Sequence, residues 1–279
     1  MDDKNKKNLS NISNQLEPIK PSRTHQTISN PSNHLEPFKP LEPLELFNPP
    51  SNPHRTPTKP LRTPTKPHHT MLNFFNRKPA VRFKAVDCHS HLLPGVDDGV
   101  RSEEEALRIL GVMERKGLER LWLTPHIMED IPNTTNDLRE RFRMLQGAYH
   151  GSIQLHLAAE YMLDNLFAER LAADDLLPLT EDKRYLLVET SYFNAPMNLH
   201  ALLDDIRKHG YYPLLAHPER YEYMSMSDYH ELKSAGIAFQ LNLPSLTGAY
   251  GHHVQKKAEK LLKQGYYDLY GSDTHREGG

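Results

Sequence analysis

The sequence predicts an α/β protein in which seven parallel strands alternate with helices and close into a barrel, preceded by a disordered Pro-rich tail. Three observations predict it. From residue 84 onward short apolar runs alternate with longer stretches of helical period. Each run ends on a polar residue of a type that binds metal ions, and the composition changes abruptly near residue 70.

Thirteen of the 22 prolines fall within residues 1–70, which hold no Gly, Tyr or Trp and only 13 residues of the hydrophobic set. Leu16-Glu17-Pro18 recurs at Leu35-Glu36-Pro37 and Leu41-Glu42-Pro43, and the hexapeptide from Arg55 to Pro60 recurs from Arg62 to Pro67. These repeats have no apolar period. Each Pro removes a backbone donor and pushes its neighbour toward extended geometry, so residues 1–70 are expected to be disordered. Pro18/Pro21 and Pro57/Pro60 have PxxP spacing, which Pro-rich segments also produce by chance. Met71 opens a new composition, MLNFFNRKPAVRF, and is an alternative start; residues 71–279 are the expected folded domain.

The predicted strands are Ala85–His89, Leu121–Thr124, Ile153–Ala159, Tyr185–Thr190, Tyr212–Ala216, Ile237–Leu241 and Tyr267–Gly271. Between them, apolar positions near i, i+3, i+4 and i+7 predict helices at Ser102–Lys116, Asn136–Tyr149, Asn198–His209, Ser227–Ala235 and Tyr250–Gln264. Ser102 with Glu105 predicts a capping box, and Gly117, Gly210 and Gly236 fall where helices stop. Strand then helix, repeated, means parallel strands joined by right-handed crossovers.

Composition excludes several classes. The 34 Lys+Arg against 36 Asp+Glu leave no bulk basic field, so neither nucleic acid nor an anionic membrane surface is an expected partner. A single Cys forms no internal disulfide and no C-x-x-C zinc site. No run approaches the ~18 apolar residues that span a bilayer, and no apolar stretch follows the first charges. A cytoplasmic chain without membrane insertion is the expectation.

The strand ends carry His89 and His91, His126, Glu160, Glu189, His217, Asn242, and Asp273 with His275. In a closed barrel those ends converge on one face, whereas an open sheet spreads them along an edge. His89 and His91 share one side of an extended segment, and Asp273 and His275 repeat the spacing. Carboxylates and imidazoles crowded together without metal must shed or share protons, a conflict that divalent cations remove. Ligands restricted to N and O suit manganese, iron or zinc. Bridging carboxylates point to more than one ion, and clustered ions suit hydrolysis of a phosphoryl group. Arg220 is the nearest cation able to grip phosphate oxygens bidentately; a surface arginine paired to Glu219 or Glu222 is the alternative. A cysteine-based phosphatase fails on spacing, because Pro94 stands six residues after Cys88, where an Arg is required. No G-x-S-x-G elbow or Walker A loop is present, and Cys88 reads as a small filler between two ligands.

DCHSHLLPGVDDG from Asp87, TPH from Thr124, AAEY from Ala158, LLVET from Leu186, AHPERY from Ala216 and SDTH from Ser272 together resemble the polymerase and histidinol phosphatase (PHP) superfamily. Within it, the VDDG and HPERY signatures are similar to bacterial PHP-type protein-tyrosine phosphatases of the CpsB/CapC kind, associated with capsule and exopolysaccharide synthesis. The resemblance runs from about residue 84 to the end. It implies a distorted (β/α)7 PHP-type barrel with three divalent metal ions, commonly manganese. His89, His91, Glu160 and Asp273 would hold the first ion. Glu160 would bridge to the second, completed by Glu189 and His217. Asp98 or Asp97, with His126 and His275, would hold the third. Arg220 and His126 would act on the phosphate, and a metal-activated hydroxide would attack phosphorus with no covalent phosphoenzyme. The implied substrate is phosphotyrosine on a protein, typically the tail of a bacterial tyrosine kinase. A small monoester such as histidinol phosphate, or an inactive binding relative, is the alternative. Tyr192, Phe193, Tyr221 and Tyr223 lie near strand ends, open to ring-binding and packing readings alike. Family members continue past SD-x-H with an Arg-Pro segment and a helix, so a chain ending Arg276-Glu277-Gly278-Gly279 is expected to be truncated.

Overall fold

A computed structural model describes residues 86–180 and 184–277. The Pro-rich segment 1–70, the alternative start at Met71 and Ala85 of the first predicted strand lie outside the described residues. In chain order the elements are β1 (Val86–Asp87), α1 (Glu103–Arg115), β2 (Arg120–Leu123), β3 (His126–Ile127), α2 (Thr135–Ala148), β4 (Gln154–Leu157), β5 (Glu160–Met162) and α3 (Asn165–Ala172). They continue with β6 (Tyr185–Glu189), α4 (Leu199–Lys208), β7 (Tyr212–Ala216), α5 (Met226–Ser234), β8 (Ala238–Asn242), α6 (His252–Lys263) and β9 (Leu269–Gly271). Short 3-10 turns follow β7 at Pro218–Arg220 and β8 at Leu243–Thr247.

All the strand pairs are parallel, in a three-stranded block β1-β2-β4 and a six-stranded block β3-β5-β6-β7-β8-β9. The result is a curled parallel sheet with helices in the crossovers, the mixed α/β architecture expected, with its strands divided between two blocks. All seven predicted runs contain strand, but a second short strand follows the second and third runs. Pro125 divides β2 from β3, because it has no N–H to continue the ladder; its carbonyl accepts from Glu160 N at 3.1 Å. Ala158 and Ala159 divide β4 from β5, Ala159 N donating sideways to Leu177 O at 3.2 Å. Discrete backbone bonds tie the end of β9 to the segment after β1: Cys88 N to Tyr270 O at 3.3 Å, Asp273 N to His89 O at 2.8 Å and His91 N to Thr274 O at 2.9 Å.

Helix α3 is absent from the sequence reading. Its 8 residues are too short for a periodic signal, yet Asp164 caps it by accepting from Phe167 N, and Phe167 and Leu171 are buried. At α1 only half of the predicted capping box forms. Ser102 Oγ accepts from Glu105 N at 3.2 Å, but Glu105 Oε2 accepts from Arg101 N at 3.1 Å. The reciprocal box occurs instead at α5, between Ser225 and Asp228. Gly117, Gly210 and Gly236 follow the C-cap residues of α1, α4 and α5, as predicted. Among the described residues no helix is long and apolar enough to cross a membrane.

Alternation along the strands separates two apolar layers. Leu121, Leu123, Leu186, Val188, Leu215 and Phe239 join the larger core with helix residues such as Ile109, Leu110, Leu203 and Ile206. The intervening positions Trp122, Leu187, Leu214 and Ala216 form a smaller cluster with Cys88, Ala158 and Leu179. Two residues on from Leu187 stands Glu189, on the same strand face. The smaller cluster is therefore an apolar floor beneath the polar strand ends.

Gly271 sits where that packing is tightest. A Cβ there would collide with His89 Cβ and lie 2.9 Å from His89 N. Gly271→Ala is predicted to lower stability by about 1–3 kcal/mol, the usual cost of overpacking, read from the chemical denaturation midpoint. An unchanged midpoint would contradict the close packing of β9 on the His89 segment.

Candidate metal centre

After β1 the chain runs Cys88-His89-Ser90-His91, and its side chains alternate. Cys88 Sγ donates to Tyr270 O at 2.8 Å and Ser90 Oγ to Trp122 O at 2.8 Å. The two imidazoles take the other side, as predicted. Their Nε2 atoms are 3.1 Å apart. His89 Nε2 lies 3.2 Å from Glu160 Oε2 and 3.4 Å from Asp273 Oδ1, and His91 Nε2 lies 3.4 and 3.3 Å from the same two atoms. Glu160, the first residue of β5, is fully buried, and its other oxygen is 3.0 Å from His217 Nε2.

The remaining predicted residues adjoin this group. His126, the first residue of β3, is in register with Glu160, and its Nδ1 is 3.2 Å from Glu160 Oε2 and 3.2 Å from Glu189 Oε1. His217 Nε2 is 3.9 Å from Glu189 Oε2. On the solvent side Asp98 Oδ1 lies 3.6 Å from His126 Nε2 and 3.4 Å from His275 Nε2, and the His275 ring stacks 4.0 Å from that of His91. Four close-set groups of possible ligands result: His91, Asp98, His126 and His275; His89, His217 and Asp273; His89, His91 and Glu160; and His126, Glu160 and Glu189. Every residue predicted as a ligand is in one of them, apart from Asp97, the alternative to Asp98.

Hydrogen bonds behind the cluster fix which atoms face it. Gln240 Oε1 accepts from His217 N at 3.2 Å and lies 3.0 Å from His89 Nδ1, which fixes Nδ1 as the donor to Gln240 and turns Nε2 toward the cluster. Asp97 does the same for His91, its Oδ2 2.8 Å from Nδ1, while also accepting from His126 N at 3.1 Å and, through Oδ1, from Gly99 N at 3.0 Å. Of the two aspartates left open by the sequence, Asp97 is thus spent on the His91 imidazole and the His126 backbone, and Asp98 faces the cluster. The backbone is left-handed at His217 and Asp273, with φ of 33° and 53°. Such geometry is uncommon away from glycine and concentrates at functional sites.

The donor set fits divalent cations. His126 Nδ1 is buried and makes no hydrogen bond although two carboxylate oxygens stand 3.2 Å away. The Nε2 atoms of His89 and His91 converge with Glu160 and Asp273 oxygens on common points, a donor set that suits a divalent cation. Protons compete for the same positions. Burial by itself lowers the His89 pKa, but Glu160 and Asp273 outweigh it and hold the group at about 9. Burial opposes ionisation of Glu160 and Asp273, yet the adjacent histidines keep both carboxyls well below the usual range.

Arg220, at the end of the first 3-10 turn, donates from Nη1 to Asp273 Oδ2 at 2.9 Å. Its guanidinium carbon lies 4.3 Å from the Tyr192 ring centroid and 4.4 Å from that of Tyr250. The surface pairing weighed in the sequence does not form with Glu219, which is buried and accepts from Asn242 N and Tyr267 OH, each at 3.0 Å. Asn242 Nδ2 donates to Asp273 Oδ2 at 2.9 Å, so it steadies a candidate ligand. Of the aromatics near the strand ends, Tyr221 is buried with its hydroxyl on Ala216 O, and Tyr223 bonds Thr190. Both pack; Tyr192 contacts Arg220 and Phe193 is exposed. The sequence reading missed Gln240 and Tyr250. The signal for Gln240 was a polar pair, Gln240 and Asn242, on one face of an otherwise apolar strand.

Two predictions follow from the electrostatics. The Cys88 thiol is buried, and burial and Asp87 push its pKa well up, so Cys88→Ser is predicted to leave metal binding and turnover nearly unchanged. Loss of turnover in that variant would contradict the filler role. In the metal-free protein, His89 contributes stability that is complete below 6.5 and lost as pH rises to about 9. Glu160 and Asp273 contribute stability present above their ordinary values of 4.5 and 3.8 and lost on acidification. The metal-free melting temperature is therefore predicted to fall between pH 6.5 and pH 9, and added manganese to oppose the fall because cations and protons compete. A flat metal-free profile over that interval would contradict the buried charge pairing.

Residues 85–279 match the family described as "Capsular polysaccharide synthesis, CpsB/CapC". The chain is 29% identical over 203 residues to the tyrosine-protein phosphatase CpsB of Streptococcus pneumoniae, covering 68% of this chain and 82% of that protein. It is 28% identical over 196 residues to the tyrosine-protein phosphatase YwqE of Bacillus subtilis, covering 68% and 77%. A solved structure from work on YwqE of Bacillus subtilis and CpsB of Streptococcus pneumoniae, described as "unique metal-dependent tyrosine phosphatases", superposes with a TM-score of 0.64 at 25% identity, covering 69% of this chain and 80% of that one. With its motifs in order and its strand ends converged on one polar cluster, the chain belongs to the CpsB/CapC family.

Proposed function

We propose that this chain is a metal-dependent protein-tyrosine phosphatase that acts in the control of capsular or exopolysaccharide synthesis. The observation that carries the reading is the convergence of four imidazoles on Glu160 with Arg220 held at the edge of the same cluster, in a chain whose relatives are named tyrosine-protein phosphatases. The names favour phosphotyrosine over a small monoester such as histidinol phosphate. A bacterial tyrosine kinase tail is the proposed partner, and a cytoplasmic place of action rests on the absence of paired cysteines. The domain reading, 71–279 on a seven-position PHP-type barrel, belongs to the same proposal.

The proposed ligand sets are His89, His91, Glu160 and Asp273 for one ion, Glu160, Glu189 and His217 for a second, and Asp98, His126 and His275 for a third. Manganese is the favoured metal, with iron and zinc as alternatives. Bound divalent ions supply Lewis acidity and lower the pKa of water at the site. The chain's own residues do the rest. Glu160 links the first two sets. Arg220, in contact with two tyrosine rings and with one nitrogen on Asp273, has its other N–H groups to offer phosphate oxygens. His126 stands between Glu160 and Asp98, where the inner and outer groups meet. The apolar floor of Trp122, Leu187 and Leu214 keeps the field of these charges from being screened. No thiol takes part.

The purified chain is predicted to hydrolyse p-nitrophenyl phosphate and a phosphotyrosine peptide with added manganese, to lose turnover with chelator, and to withstand thiol alkylation. His89→Ala or Asp273→Ala should abolish turnover with the fold retained. Arg220→Ala should keep its metal and lose about a hundredfold in kcat/KM, as for other donors to a developing anion. Activity that survives complete metal removal would contradict the proposal. Faster turnover of histidinol phosphate than of the phosphopeptide would favour the small-monoester alternative.

A further inference from the structure

Among the described residues four large hydrophobic side chains are exposed: Met144, Phe193, Met197 and Tyr250. Three of the four belong to the two loops whose tyrosines contact Arg220. Phe193 is 66% exposed and Met197 89%, both on the loop between β6 and α4 that carries Tyr192. Tyr250 comes from the facing loop before α6. The β6–α4 loop is anchored at its base, where Glu222 N donates to Tyr192 O at 2.7 Å and Phe193 N to Ser191 Oγ at 3.4 Å. Tyr192 is thus seated inward on Arg220, and the next residue is turned out to solvent.

We propose that Phe193 and Met197, with the outer edge of Tyr250, form an apolar rim that binds an apolar side chain flanking the phosphotyrosine of an extended peptide substrate. This rests on the phosphatase reading and narrows it. His89 and Glu160 are wholly buried and Arg220 largely so, so only a side chain enters the centre and the substrate backbone stays at its mouth. Residues flanking the phosphotyrosine follow at about 3.3–3.6 Å each along an extended chain and meet the loops that flank Arg220. A small phosphate monoester would have no use for such a rim. Exposed apolar side chains confined to the loops that contact Arg220 fit a recognition surface better than scattered exposure does.

The test uses two phosphotyrosine peptides that differ only in Leu or Ser beside the phosphotyrosine, with p-nitrophenyl phosphate as the rimless control. The unsubstituted protein with manganese should prefer the Leu peptide by about tenfold in kcat/KM, the range of one apolar contact. Phe193→Ser with Met197→Ser should erase the preference and leave p-nitrophenyl phosphate turnover unchanged. Phe193→Leu with Met197→Leu should restore it. Equal turnover of the two peptides by the unsubstituted protein, or a preference that survives the double Ser variant, would overturn the rim alone. A change of oligomeric state in that variant would reassign the surface to self-association and overturn it too. Failure of the unsubstituted protein on p-nitrophenyl phosphate would overturn the phosphatase reading and the rim together.

Discussion

One buried carboxylate organises the polar half of this molecule. Glu160 stands within 3.0 to 3.4 Å of imidazole nitrogens from His89, His91, His126 and His217, which reach it from three separate parts of the chain. Taking so many ionisable groups out of water is costly, and the mutual attraction of unlike charges offsets that only when each has its partners. In the metal-free protein the partners are protons, held up on His89 and His91 and off Glu160 and Asp273. Divalent cations would take the same positions as those protons, and metal affinity would then be linked to the protein's stability.

The fold brings those groups together by interrupting its own strands. Pro125 and the Ala158-Ala159 step end the regular strands β2 and β4, while the bonds from Ala158 N to Leu123 O at 2.9 Å and from Glu160 N to Pro125 O at 3.1 Å run across the step and keep the inward phase. His126 and Glu160 therefore resume as a registered pair pointing the same way as Trp122 and Ala158. Small residues let the walls close: a side chain on Gly99 would strike His91, and one on Gly271 would strike His89. Beneath lies an apolar floor, and above it stand the buried polar residues His126, Glu160, Glu189 and Asn242. The same alternation that builds a sheet thus sorts a dry layer from a charged one.

Much of this was legible beforehand, because strand ends and ligand types repeat in sequence with a fixed phase. What escaped has physical reasons. Strands of 2 and 3 residues such as β3 and β5 carry no alternation to detect, and α3 spans barely two turns. Asp97 and Asp98 are neighbours of one chemistry, and only the hydrogen bonds from His91, His126 and Gly99 tell the orienting carboxylate from the one that faces the cluster. Gln240 and Tyr250 act through distant partners, His89 and Arg220, that local sequence does not reveal. The capping box misled for a related reason, since Glu105 has a choice between two adjacent backbone donors and takes Arg101.

The central claim is that Glu160 is a ligand shared between ions. Anomalous X-ray diffraction from crystals grown with manganese tests it most directly. The account predicts at least two manganese peaks, each within bonding distance of a Glu160 oxygen. A single peak remote from Glu160, or no peak among these histidines at saturating manganese, would contradict it.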